Sequence, residues 1–173
     1  MVDYTSAEPP PYFVLVHGPP GVGKSTLIRC LIKHYTRQGV SDIRGPVTVI
    51  SGKKRRLTLL ECPADLCSMI DAAKVADLVL LVIDAAFGFE METFEFLMLL
   101  QQHGMPKVMG VLTHLDGLRD GKKVKAVKKA LKHRFAPALS LKGLHAVSPQ
   151  RHAHRTGNRA VARDSTLLFR CCF

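Results

Sequence analysis

The segment at 18–25, Gly-Pro-Pro-Gly-Val-Gly-Lys-Ser, combines residue types that bind phosphate. It fits the pattern G-x-x-x-x-G-K-[ST] between an apolar run at 12–17 and a helical pattern at 24–35. Glycines let backbone N–H groups turn toward phosphate oxygens, and a helix N-terminus adds positive charge. We expect Lys24 to reach the β- and γ-phosphates and Ser25 to ligate Mg²⁺. The predicted nucleotide contacts in this loop are Gly18, Pro19, Pro20, Gly21, Val22, Gly23, Lys24, Ser25 and Thr26.

A second group of polar residues follows a later apolar run and is suited to reading a base. Thr113, His114 and Asp116 stand where the motif [NT]-K-x-D would lie, with His114 in the place of the lysine. An aspartate there accepts from both the ring N–H and the exocyclic amine of guanine, which favours GTP over ATP. Alternatively, Asp116 caps a following helix.

The sequence Glu61-Cys62-Pro63-Ala64-Asp65 occupies the place of a D-x-x-G motif on the metal side of such a site. Glu61 can hold a metal-bound water, whereas Ala64 replaces the glycine whose N–H contacts the γ-phosphate. Asp65 stands where many GTPases place a glutamine that orients water. It either positions water or caps the helix that begins there.

Thr48 lies between the phosphate loop and Glu61, where a switch threonine would join the Mg²⁺ shell. An ordinary strand threonine is the alternative. The predicted catalytic residues are Lys24, Thr48 and Asp65, and the predicted Mg²⁺ ligands are Ser25, Thr48 and Glu61.

The elements that must position these residues alternate along the chain. Short apolar runs alternate with amphipathic segments of about a dozen residues, which indicates an α/β protein with a mostly parallel sheet covered on both faces. Ligands of such sheets bind beyond the carboxyl ends of the strands, where Gly18, Glu61, Asp84 and Thr113 stand. We predict strands at 12–17, 47–51, 57–61, 78–84, 107–113 and 144–147, and helices at 24–35, 65–76, 90–103 and 120–135.

Length and composition fit one soluble domain. The chain has 173 residues, 47% of them hydrophobic, and five cysteines without the spacing of a zinc site. The net charge of +11 comes from 119–134 and 151–173, which suggests a surface facing a polyanion or a solvated helix face. The longest apolar run, 78–83, is too short for a membrane span, and the start has no signal-peptide pattern.

These residues resemble the GTPase domain of the Bms/Tsr family of ribosome-biogenesis proteins, particularly its Bms branch. Four stretches carry the resemblance: 18–25, 43–48 with 51–56, 87–96 and 110–116. In that family Glu ends the third strand and His follows Thr in the base motif, as Glu61 and His114 do here.

The resemblance implies a Ras-like P-loop fold that uses GTP and Mg²⁺ and acts in nucleolar assembly of the small ribosomal subunit. The implied partners are pre-ribosomal RNA and small-subunit assembly factors, including a cyclase-like processing factor, with no membrane involved. The alternative is a nucleotide- or RNA-binding element without useful turnover.

The domain organisation departs from the family toward the end of the chain. We expect a GTPase domain over 1–148, with a disordered start at 1–11. The basic tail at 149–173 is expected to be disordered, because 149–158 has almost no apolar surface to bury. The helix that would close a Ras-like fold is therefore expected to be missing.

Overall fold

The computed structural model describes residues 10–51, 55–115, 126, 129–130 and 144–146. Helices and strands alternate along this part of the chain, as the sequence predicts. The elements are β1 (Tyr12–His17), α1 (Lys24–Thr36), β2 (Val47–Ser51), β3 (Arg55–Glu61), α2 (Leu66–Val75), β4 (Leu78–Asp84), α3 (Met91–Gln102), β5 (Lys107–Thr113) and β6 (Leu144–Ala146).

The strands form one sheet in the order β2-β3-β1-β4-β5-β6. All neighbouring pairs are parallel except β2 and β3, which form an antiparallel hairpin. The predicted mostly parallel sheet is confirmed. Parallel pairing brings the carboxyl ends of β1, β3, β4 and β5 to one edge, so the residues after these strands are neighbours in space.

Helices cover both faces of the sheet. One apolar cluster joins α1, through Leu27, Ile28 and related residues, to one face of the central strands. A second cluster joins α2 and α3 to the opposite face, with Phe96 fully buried. Every residue of β4 is buried, because this strand is central and covered on both sides.

Local backbone signals set the ends of the helices. α1 follows Gly23, which has a φ of 92°, and is capped at its C-terminus by Arg37, whose N–H donates to the Lys33 carbonyl. α2 begins after Asp65, whose side chain accepts from the Ser68 N–H. Gly104, with a φ of 92°, follows α3 and turns the chain back toward β5.

Most predicted boundaries agree with the structure to within two residues. β3 begins at Arg55 rather than at 57, because Arg55 and Arg56 pair with Ser51 and Ile50 across the hairpin. The pattern of apolar residues does not reveal such pairing, because the paired residues at this end of the strand are polar.

Several predictions concern other parts of the chain. The predicted helix at 120–135 lies outside the described residues, apart from Ala126 and 129–130, which are helical. Residues 1–9 of the predicted disordered start, the tail at 149–173 and the question of a closing helix also lie outside them. No helix of the described part has the length and apolar character needed to cross a membrane.

Candidate nucleotide-binding site

The glycines of the loop between β1 and α1 meet two different constraints. Gly18 lies against β4, where an added Cβ would stand 2.5 Å from the Val82 carbonyl oxygen. Gly21 and Gly23 have φ values of 80° and 92°, a region that other residues rarely adopt. The loop therefore combines a close approach to the sheet with two left-handed turns.

The N-terminus of α1 is open to an anion. No side chain caps this end, and its first turn contains no acidic residue. The unpaired N–H groups and the helix dipole therefore leave a partial positive charge beside the loop. The Lys24 ammonium adds to it and donates to the carbonyls of Gly18 and Pro19 at 2.8 and 2.9 Å.

Ser25 and Glu61 meet at the same edge of the sheet. The Ser25 hydroxyl donates to Glu61 Oε2 at 2.7 Å, although 36 residues separate them. The β1–β3 register produces this contact, because it pairs Glu61 with Val16, two residues before the loop. A hydroxyl and a carboxylate are hard oxygen ligands, so this pair fits Mg²⁺. Among the described residues, no group of three or more His, Cys, Asp or Glu side chains is arranged so that it could hold a metal ion.

Thr48 does not join Ser25 and Glu61 in this structure. It lies within β2, where its hydroxyl is 3.0 Å from the Thr58 hydroxyl across the hairpin. Thr58 precedes Glu61 by three residues, about 10 Å along a strand. The structure thus supports the strand alternative for Thr48 and differs from the predicted place in the Mg²⁺ shell, because the hairpin register fixes this residue away from the strand end.

Asp65 acts as the N-cap of α2. Its Oδ2 accepts from both the backbone N–H and the hydroxyl of Ser68, each at 3.1 Å. The N-cap alternative is therefore confirmed. Both hydrogen bonds are accepted by Oδ2, so the role of positioning water stays a prediction.

The base-side residues Thr113 and His114 lie at the end of β5, beside the end of β4. The Thr113 hydroxyl donates to the Ile83 carbonyl at 3.3 Å. His114 Nδ1 is 2.6 Å from Oδ2 of Asp84, whose other oxygen accepts from the Ala86 N–H at 2.7 Å. Asp84 is buried, so a buried carboxylate fixes the orientation of the half-exposed imidazole. Asp116, the predicted guanine reader, lies outside the described residues.

A cavity of about 580 Å³ lies between the phosphate loop and the β4–α3 connection. Its walls bring together the loop and the base-side histidine, whereas Lys24, Ser25 and Glu61 lie outside its lining. The lining residues are Pro20, Gly21, Val22, Asp84, Phe87, Glu90 and His114.

Sequence reasoning placed Asp84 at the ligand-binding edge of the sheet without a specific role, and it assigned no site role to Phe87 or Glu90. The position of Asp84 after a buried strand, next to the base motif, was the available signal. Its partner could not be identified from that position, because the contact with His114 depends on the β4–β5 register, which pairs Asp84 with Thr113.

Two buried titratable groups lie close to the loop. Burial raises the pKa of the Cys62 thiol to about 12, although the Lys24 charge opposes the shift. Burial also lowers the pKa of His17 to about 4; a hydrogen bond to the Glu92 backbone opposes this shift and the Lys24 charge adds to it. Both groups are therefore neutral near pH 7.

Solved structures share this fold at low sequence identity. The translation elongation factor SelB of Methanococcus maripaludis, in complex with the GTP analogue GppNHp, superposes with a TM-score of 0.71 and 18% identity. The match covers 96% of this chain and 35% of SelB. The apo form of SelB also gives a TM-score of 0.71, with 22% identity over 94% of this chain and 35% of SelB. The likeness supports the predicted Ras-like α/β fold.

Sequence relatives are much closer. The human ribosome biogenesis protein BMS1 homolog is 66% identical over 135 residues, and bms1 of Schizosaccharomyces pombe is 62% identical over 136 residues. These alignments cover 78% of this chain but only 10% and 12% of the two relatives. Residues 24–148 match the family described as Tsr1, G-like domain. The chain therefore belongs to the family of Tsr1 G-like domains.

Proposed function

We propose that this domain binds GTP with Mg²⁺. The contact between the Ser25 hydroxyl and Glu61 Oε2 at 2.7 Å carries the proposal, because it places two oxygen ligands beside the open N-terminus of α1. The match to the family described as Tsr1, G-like domain supports the same conclusion.

The phosphate loop provides the charge for this function. Backbone N–H groups of the loop and of the first turn of α1 would donate to phosphate oxygens. The Lys24 ammonium, now bound to two loop carbonyls, lies within the same loop and would turn to the phosphates. When bound, Mg²⁺ would be held by Ser25 and Glu61 and would neutralise phosphate charge.

The base side would be provided by Thr113, His114 and Asp116. The Asp84 carboxylate holds the His114 ring at the rim of the cavity that also touches Pro20, Gly21 and Val22. An imidazole in that place offers a flat face to a purine, as a lysine stem does in other GTPases. Asp116 would accept from the two N–H groups that distinguish guanine from adenine.

Slow hydrolysis of GTP is the accompanying proposal, and binding without useful turnover is the competing one. The two hydrogen bonds that Asp65 Oδ2 accepts from Ser68 favour the second, because they hold the carboxylate that could position water at the start of α2. Ala64, which stands in place of the usual switch glycine, also favours binding without useful turnover. Single-turnover hydrolysis, followed beside equilibrium binding, distinguishes the two.

The wider role that we propose is assembly of the small ribosomal subunit in the nucleolus. The relatives are named ribosome biogenesis proteins, and this chain spans only about a tenth of their length. Pre-ribosomal RNA and a cyclase-like processing factor are the proposed partners. The clustered positive charge at 119–134 suits RNA phosphates. Neutralising one lysine in this segment that binds a phosphate should make the slope of log binding constant against log salt concentration shallower by about 0.7–0.9.

Lys24→Ala tests the proposed site. We expect wild type to bind GTP and GDP more tightly than ATP, and the variant to lose tight GTP binding, because nothing nearby replaces a charged donor to the phosphates. Lys33→Ala on the exposed side of α1 is the matched control and should bind as wild type does. Titration calorimetry measures each affinity. Unchanged GTP affinity in Lys24→Ala would contradict the proposal.

A further inference from the structure

The solvent side of α3 carries a line of large apolar side chains. Met91, Phe94 and Met98 are 73%, 42% and 65% exposed, and Phe87, just before the helix, is 79% exposed. At about 100° per residue the three helical positions lie within about 60° of one another, opposite the buried Phe96. We call Met91, Phe94 and Met98 the α3 stripe; Phe87 lines the cavity beside the phosphate loop. Single exposed apolar residues are common, but a continuous line of them indicates an interaction site.

The α3 stripe combines a fixed part with an adaptable part. The Phe94 ring packs on Phe89, with ring centroids 5.4 Å apart, so its position is held. Methionine side chains are flexible and polarisable and adapt to varied apolar partners. Met91 and Met98 lie two turns apart, about 10 Å, which matches the spacing of anchors on a partner helix.

The segment that contains the α3 stripe is acidic, whereas the chain as a whole is basic. The segment 75–106 contains no lysine or arginine, in a chain of net charge +11. Its acidic residues are Asp77, Asp84, Glu90, Glu92 and Glu95. Glu92 and Glu95 lie along one edge of the α3 stripe, are exposed, and form no ion pair within the described part of the chain.

We propose that the α3 stripe binds an amphipathic helix of another protein, whose apolar face is bordered by lysine or arginine. The acidic edge complements such a border and steers its approach. The same edge repels RNA phosphates and anionic lipid headgroups, so a protein helix is the partner that both the apolar and the charged features fit. Anchors at i, i+3 or i+4, and i+7 would contact Met91, Phe94 and Met98.

A model peptide tests the proposal with the full 173-residue chain. The probe is a fluorescent helix of about 18 residues with leucine on one face and lysine elsewhere, and its counterpart carries glutamate in place of lysine. Anisotropy titration should show binding of the lysine peptide only. Met91→Gln/Met98→Gln should weaken it by about tenfold or more, since apolar anchors dominate such interfaces. Leu66→Gln/Val75→Thr, which removes two similarly exposed apolar residues of α2, should leave it unchanged.

A charge-reversed variant gives a second, independent measurement. Glu92→Lys/Glu95→Lys should bind the glutamate peptide better than the lysine peptide. Melting curves followed by circular dichroism check that each variant is folded. Equal losses in the α3 and α2 variants, or tight binding of the glutamate peptide to wild type, would overturn the proposal. So would a wild-type dimer in sedimentation that the methionine variant abolishes, or binding of a single-stranded RNA oligonucleotide that depends on Met91 and Met98.

Discussion

At the scale of single residues, the contact between His114 and Asp84 distinguishes this site from one built with a lysine. A lysine packs its stem on the base without needing a partner, whereas an imidazole must be oriented. The 2.6 Å contact with a buried carboxylate provides that orientation. We therefore predict that Asp84 acts through His114 as a positioning residue in GTP binding.

A double-mutant cycle tests this role of Asp84. Asp84→Asn and His114→Ala should each weaken GTP binding, and the double variant should be no weaker than His114→Ala alone. The expected coupling is about 1–2 kcal/mol, as for other contacting pairs in one network. Calorimetric titration with GTP measures it, and melting temperatures separate it from loss of the fold. Fully additive effects would show that Asp84 does not act through His114.

Ser25 and Thr48 offer a matched comparison of two hydroxyls. Ser25→Ala removes a proposed Mg²⁺ ligand, so we expect GTP affinity to fall at least tenfold and to become less dependent on Mg²⁺. Thr48→Val removes only a hydrogen bond to Thr58, so GTP affinity should stay within twofold of wild type and stability should change by about 1 kcal/mol or less. Titrations at several Mg²⁺ concentrations test both. A Mg²⁺-dependent loss in Thr48→Val would restore Thr48 to the metal shell.

The residues of the site differ in how well the sequence predicts them. Gly18, Lys24 and Ser25 belong to one contiguous motif whose spacing alone indicates its geometry. Thr48 depends on a strand register that no sequence spacing reveals, and the structure places it opposite Thr58. Asp84 needs a partner from another strand, so its contact with His114 emerges only when β4 and β5 pair.

At the scale of elements, the start of α2 depends on Asp65. Asp65→Ala should lower the free energy of unfolding by about 1 kcal/mol, because the N–H of Ser68 loses its acceptor. Asp65→Asn keeps an acceptor at the cap and is the matched control, with a smaller loss. Urea denaturation measures both. If Asp65→Asn instead slows single-turnover GTP hydrolysis while leaving stability intact, the carboxylate does position water.

The order of elements is well predicted because each has a local cause. The continuous apolar run of β4 indicates a strand covered on both faces, and its complete burial agrees. The apolar spacing of Leu27, Ile28 and Leu31 indicates the buried face of α1. The polar start of β3 at Arg55 has no such local cause, since only pairing with Ser51 defines it.

At the scale of the whole molecule, one buried histidine connects the phosphate loop to the opposite helix layer. His17 ends β1, immediately before Gly18, and its ring stacks on Phe96 of α3 at a centroid distance of 3.8 Å. Its Nε2 is buried and has no partner within the described part of the chain. Protonation would place a charge in this apolar contact, next to the Lys24 ammonium, so the fold favours the neutral ring.

The unfolding free energy of the domain should therefore fall as the solution becomes acidic. Burial lowers the pKa of His17 from 6.5 to about 4, so between these values the unfolded chain binds a proton that the folded chain excludes. Stability should be fully present above about pH 6.5, and this histidine alone should account for a loss of about 2 kcal/mol between pH 7 and pH 5. Urea denaturation at both pH values measures the loss in wild type and in His17→Gln, which lacks the titrating ring. His34→Gln is the control, because His34 is only partly buried and its pKa is lowered less by burial. An equal acid loss in wild type and His17→Gln would show that the ring between the phosphate loop and α3 does not set this dependence.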